Sequence, residues 1–173
     1  MSAGALTRAL AARAVAGVLA RGQTLDVALA AVLAGRGDLD ACHLPDRDRA
    51  QVQALAFGAV RGHLRHRALL NELLDRPLKG GDSTLEALLS VGLFQLSDPE
   101  QPDYAAVSAT VEATRLLGQE RAAGLVNASL RRFQRDRSAR RTRAGRRATT
   151  GPHRSESLWG RYSWRAGRAG RAG

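Results

Sequence analysis

Aliphatic side chains recur through this 173-residue chain as far as Gln134 and then all but stop. From Arg135 to Gly173 the only aliphatic residue larger than alanine is Leu158. So little apolar area cannot offset the entropy of ordering a backbone. A hydrophobic core must therefore come from residues 1–134, and residues 135–173 are expected to form a disordered Arg/Gly/Ala-rich tail. Charge breaks at the same point: residues 1–134 hold 15 Lys and Arg against 14 Asp and Glu, whereas residues 135–173 hold 12 Arg against Asp136 and Glu156. The formal charge of +11 belongs almost wholly to the tail, so basicity by itself does not mark the body as a nucleic-acid binder. The tail has two readings. Arginine and glycine with Trp159, Tyr162 and Trp164 would hold RNA nonspecifically by charge and stacking. Alternatively, it is GC-rich coding DNA translated out of frame, which the abrupt loss of aliphatic residues favours.

Periodicity in residues 4–134 predicts an all-α domain of about seven helices. The first covers about Gly4–Arg21 and stops at Gly22. Thr24 is placed to cap the second, whose stripe is Leu25, Leu29, Val32 and Leu33. A third starts at Pro45-Asp46, with Val52, Leu55, Ala56, Ala59 and Val60 inward, and passes near Gly62 into a fourth striped by Leu69, Leu70, Leu73 and Leu74. Pro77, Gly80 and Gly81 break the pattern. Ser83 and Glu86 have the spacing of a capping box. They precede a leucine-rich fifth helix (Leu85, Leu88, Leu89, Leu93, Leu96) that reads as the centre of the domain. Gly92 inside it costs about 1 kcal/mol of helix propensity relative to alanine, and a close helix contact is the expected compensation. After Pro99 and Pro102, Asp103 caps a sixth helix that ends at Gly118. The seventh runs from about Gln119 to Gln134. Phe94 and Tyr104 are expected in the core.

Several function classes are excluded early. A lone cysteine, Cys42, permits neither an intrachain disulfide nor a CxxC metal site. His43, His63, His66 and His153 lack metal-site spacing, so no metal is expected. No Gly-rich strand-to-helix fingerprint for a nucleotide-like cofactor occurs. No apolar run reaches the roughly 20 residues of a membrane span. Arg8, Arg13 and Arg21 without nearby acids give the first helix a superficial likeness to a transit peptide. Its Leu6, Leu10, Val18 and Leu19 suit an ordinary domain helix better, in a cytoplasmic protein.

Four blocks, in order, carry a family resemblance: DRDRAQVQALAFGAVRGHLR at 46–65, LLDRPLKGGDSTLEALLSVGLFQL at 73–96, PDYAAVSATVEATRLLG at 102–118 and GLVNASLRRF at 124–133. From about Arg13 to Phe133 the chain resembles the helical RNA-binding domain shared by the NusB antitermination factor and by the amino-terminal part of bacterial 16S rRNA cytosine-5 methyltransferases of the RsmB type. The LLDRPL and VGLFQL wording is nearer the methyltransferase branch. That branch continues into a catalytic domain with an S-adenosylmethionine site and two cysteines, one in a Pro-Cys dipeptide. Here the likeness ends just after Phe133, and Cys42 is not preceded by proline. The resemblance implies an RNA-binding accessory module that is not an enzyme and carries no cofactor. A stand-alone antitermination factor, binding boxA-like RNA with a ribosomal protein partner, is the alternative; a helical protein-interaction domain is a third, from another class.

The residues expected to contact RNA are Arg8, Arg13, Arg61, Arg65, Arg131 and Arg132. Arg8 and Arg13 lie on the first helix, where the resemblance places an arginine-rich surface. Arg61, Arg65, His66 and Arg67, with His63, form the densest basic cluster of the body, a stripe that counterion release would reward. Arg131 and Arg132 stand beside the expected end of the last helix, where cations are also favoured by the macrodipole alone. Asn127, on an otherwise apolar helix face, reads as a buried amide bonded to a neighbouring helix end.

Overall fold

Ser2 opens the first helix by accepting a hydrogen bond from the Ala5 amide, and Gly22 closes it with φ 62°, a left-handed geometry that costs glycine nothing. The computed structural model describes residues 2–35, 39, 41, 43–78, 82–98 and 103–148, the side chains of Asp103 and of residues 139–148 excepted. The helices are α1 (Ala3–Arg21), α2 (Leu25–Leu33), α3 (Asp46–Arg61), α4 (His63–Leu73), α5 (Ser83–Ser97), α6 (Asp103–Leu116) and α7 (Ala123–Ala148), with a 3-10 turn at Glu120–Ala122 before the last. No strand occurs among the described residues. Met1–Ser138 makes one compact unit, and Ala139–Gly173 is a separate one.

The centre is not α5 alone. Nearly every residue of α1 from Ala5 to Gly17 is buried, which leaves the helix no solvent face over that stretch. α1 packs against α2, α3, α5 and α6, while α5 packs against α1, α3, α4 and α6. Alanines at 9, 11, 12, 14 and 16 let neighbours approach from all sides, so burial here leaves no stripe to read. α1 is also long and apolar enough, by length and composition, to cross a membrane, contrary to the expectation from sequence; most of it is instead enclosed by the bundle.

Gly92 has the close contact its position demanded. A β-carbon there would lie 3.0 Å from both Leu130 methyls of α7 and 3.2 Å from Thr110 Cγ2 of α6. Three helices therefore meet over one missing side chain. Gly58 of α3 likewise leaves the place that the Phe94 ring of α5 occupies. Leu89, Leu93, Leu96, Val126 and Leu130 fill the interior between these helices.

Four expectations fail locally. The Ser83 capping box does not form: α5 starts at Ser83 itself, Asp82 is the cap, and its side chain makes no cap bond. Tyr104 is 76% exposed rather than in the core, since it sits in the first turn of α6 on the solvent side. Phe94 is half-buried against the core. Finally, α7 does not stop near Gln134 but continues to Ala148. Arginine and alanine are among the best helix formers, and extending a helix costs far less than starting one. Loss of aliphatic residues thus ended core formation without ending the helix. Cys42, Gly80, Gly81, Pro99, Pro102 and the tail from Thr149, with Trp159, Tyr162 and Trp164, lie outside the described residues.

Candidate nucleic-acid interface

The six arginines singled out above fall into three places. The first is α1. Arg8 is only 6% exposed, its Nη1 donating to the Gly4 carbonyl at 2.6 Å. Burial pulls its guanidinium below the usual arginine value. In this arrangement Arg8 is shut off from a phosphate in solvent, because an alanine-rich helix buried all round carries even its arginine inward. Arg13 is half-buried and lines a cavity together with Arg21.

The second place is the corner between α3 and α4. Arg61 ends α3, Gly62 makes the turn, and Arg65 follows in the first turn of α4; both arginines are exposed, as is Arg67. The expected stripe loses its histidines. His66 turns inward across Gly62, whose β-carbon position lies 2.5 Å from His66 Cε1. Burial first, then the Arg65 and His63 charges, lower its pKa to about 4, so the imidazole is neutral at physiological pH. His63 Nε2 stands 3.9 Å from Glu86 Oε1 of α5. Two apolar residues of the same corner are also exposed: Leu64 at 81% and Phe57, one turn before Arg61, at 46%. Sequence reasoning assigned neither a role, because each is an isolated apolar residue on a polar face.

The third place is α7. Arg131 Nε donates to Asn127 Oδ1 at 3.0 Å, so the Asn127 partner is its own helix and not a neighbouring helix end. Arg132 Nη1 donates to the Leu73 carbonyl at 3.1 Å and stands 3.9 Å from Asp75 Oδ1. This arginine supplies a cap for the end of α4, 59 residues earlier in the chain. The α3–α4 corner and Arg132 therefore mark opposite ends of an eleven-residue helix, about 15 Å apart at 1.5 Å per residue.

Among the described residues no three His, Cys, Asp or Glu side chains gather as a metal site would require. Comparison with known proteins gives one consistent result. Residues 5–135 match the model of the NusB family. Ribosomal RNA small subunit methyltransferase B of Xanthomonas campestris pv. campestris is 44% identical over 135 residues, 78% of this chain and 29% of that protein. The protein of the same name from Xylella fastidiosa is 44% identical over 137 residues, 79% of this chain and 30% of its own length, and that from Sodalis glossinidius 39% over 132 residues. The chain thus spans under a third of the length of these relatives.

Proposed function

The chain belongs to the NusB family, and from that premise we propose that its folded body binds RNA as the accessory module of an rRNA cytosine-5 methyltransferase, without that enzyme's chemistry. The α3–α4 corner carries the reading. Arg61, Arg65 and Arg67 are exposed there beside Phe57 and Leu64. Guanidinium groups take phosphates, and an exposed aromatic side chain on the same corner can stack on an unpaired base. Arg131 and Arg132 contribute the charge of the α7 surface while holding Asn127 and Leu73, and Arg13 faces a cavity. Arg8, enclosed by the fold and bonded to the Gly4 carbonyl, makes no phosphate contact in this reading. That the 44% identical relatives are ribosomal RNA methyltransferases by name favours rRNA over a boxA-like RNA held with a ribosomal protein, and a bacterial cytoplasm as the setting.

The test compares full-length proteins, so that the tail charge is common to all of them. Affinity for a single-stranded rRNA fragment is measured against salt. Each lost phosphate contact lowers the slope of log affinity against log salt by about 0.7 for single strands, so Arg61→Ala with Arg65→Ala should lower it by about 1.4. Arg115→Ala, which removes a partner of Glu120 on α6, should leave it unchanged. An unaltered slope in the double variant would remove the α3–α4 corner from the RNA interface and overturn the reading it carries. The exposed Phe57 and Leu64 would then favour the protein-interaction reading.

A further inference from the structure

We propose that His66 and His63 are positioning residues of the α3–α4 corner: they fix the angle at which α4 leaves α3, and with it the spacing of Arg61 and Arg65. That these arginines meet phosphates rests on the RNA reading above; how they are held does not. Each histidine ties the first turn of α4 to a different helix. His66 is 4% exposed, and its ring lies against the turn. A β-carbon on Gly62 would stand 2.5 Å from His66 Cε1, 2.7 Å from Nε2 and 3.2 Å from Nδ1. The ring also bonds the backbone of Ala59, in the last turn of α3. Its Nδ1 has no partner among the described residues, which leaves Nε2 to donate to the Ala59 carbonyl. His63 turns to α5 instead, with Nε2 3.9 Å from Glu86 Oε1. That carboxylate oxygen is buried, and no donor among the described residues bonds it.

α4 packs more against α5 than against α3, so its direct hold on α3 is slight and a ring wedged at the turn has leverage over the angle. The first turn of α4 has neither an acidic residue nor a side-chain cap to brace it. Gly62 has φ −87° and ψ 3°, which side chains tolerate in turns. Glycine serves there by leaving room for the ring, not by its backbone freedom. Residues 63 and 66, at i and i+3, share one side of the helix, so Leu64, Arg65 and Arg67 are left exposed. The basic cluster thus divides by residue type, imidazoles mounting the helix from within and guanidinium groups facing out. A pair of arginines on a rigid mount loses less freedom on binding than a pair on a loose one.

The experiment uses the full chain. Residual dipolar couplings of the α3 and α4 amides give the angle between the helices. The salt dependence of affinity for a single-stranded rRNA fragment gives the number of phosphate contacts. Gly62→Ala keeps every charge and displaces the ring, whereas His66→Ala removes it. Both should change the angle and lower the slope by about 0.7, one contact on a single strand, although both arginines remain. In an Arg65→Ala background, Gly62→Ala should lower the slope no further, because the contact is already gone. His66→Gln keeps a side-chain N–H for the Ala59 carbonyl and should restore part of the slope; should Gly62→Ala not fold, the two His66 variants carry the same comparison. His63→Ala should also change the angle. An angle unaltered by the Gly62 and His66 variants overturns the proposal whatever the slope does. So does a changed angle with an unchanged slope, if Arg61→Ala with Arg65→Ala lowers that slope. A changed angle with a slope that ignores the arginines too supports the mount and refutes the RNA reading alone.

Discussion

Gly92→Ala separates two opposing effects whose sizes the structure sets. In a solvated helix the exchange would stabilise by about 1 kcal/mol through propensity. Here the new methyl arrives 3.0 Å from both Leu130 methyls and 3.2 Å from Thr110 Cγ2. Leu130 and Thr110 are fully buried, so neither can swing into solvent to make room. Because both Leu130 methyls are equally close, rotating the leucine relieves one contact only by tightening the other. Overpacking a core by one methyl costs about 1–3 kcal/mol, so the net expectation is a loss of about 1 kcal/mol. For a domain of this size that lowers Tm by about 3–5 °C. Gly92→Val should cost roughly twice as much. Chemical denaturation of the single variants and of Gly92→Ala with Leu130→Val measures the coupling. The double variant should recover part of the loss, a non-additivity expected only of touching residues. A gain of about 1 kcal/mol from Gly92→Ala alone, or strict additivity with Leu130→Val, would refute the three-helix contact.

Leu89→Ala and Leu93→Ala, at fully buried positions of α5, should each cost about 2–5 kcal/mol, seen as clear drops in thermal midpoint; midpoints within a degree of the parent would make this helix peripheral. His66 gives a pH dependence. Unfolded, it takes its proton near pH 6.5, and folded, only near about 4, so between these values the unfolded state binds the extra proton and stability falls as pH drops. The fall approaches about 3 kcal/mol at its limit, and His66→Gln should shrink the difference in urea midpoint between pH 7 and pH 4.5; an equal difference in both proteins would exclude His66 as its origin. Arg132→Met keeps the aliphatic stem but removes the bond to the Leu73 carbonyl, and should cost about 1 kcal/mol, with faster amide exchange confined to the end of α4 and nearby.

Legibility in the sequence followed contrast. Helices with apolar stripes against polar faces, such as α2 and α3, were readable, and so was the Thr24 cap, which accepts from the Val27 amide. The need for a contact at Gly92 could also be read, since a glycine in a leucine-rich helix requires a reason. α1 offers no contrast, because alanine is neutral in every pattern, and so the most enclosed helix reads in the sequence as an ordinary one. The reach of α7 was hidden for a related reason: a stretch unable to make a core remains able to continue a helix. For the interface, arginine positions were visible but their destinations were not. Whether an arginine meets solvent, a cavity or a carbonyl 59 residues away depends on packing between helices, which local spacing does not encode.

The enclosure of α1 has a consequence in time. This helix is apolar enough to pass for a membrane-crossing segment, yet its coverings are made later, and α6 (Asp103–Leu116) is among them. At about 5–20 residues per second, the ribosome needs roughly 5–20 s to go from Arg21 to Leu116. Throughout that interval α1 is outside the tunnel or leaving it with its partners incomplete. The nascent chain therefore presents to chaperones and targeting factors an apolar helix that the finished protein never shows, and synonymous changes that slow translation between α2 and α6 would lengthen that exposure without altering a single residue.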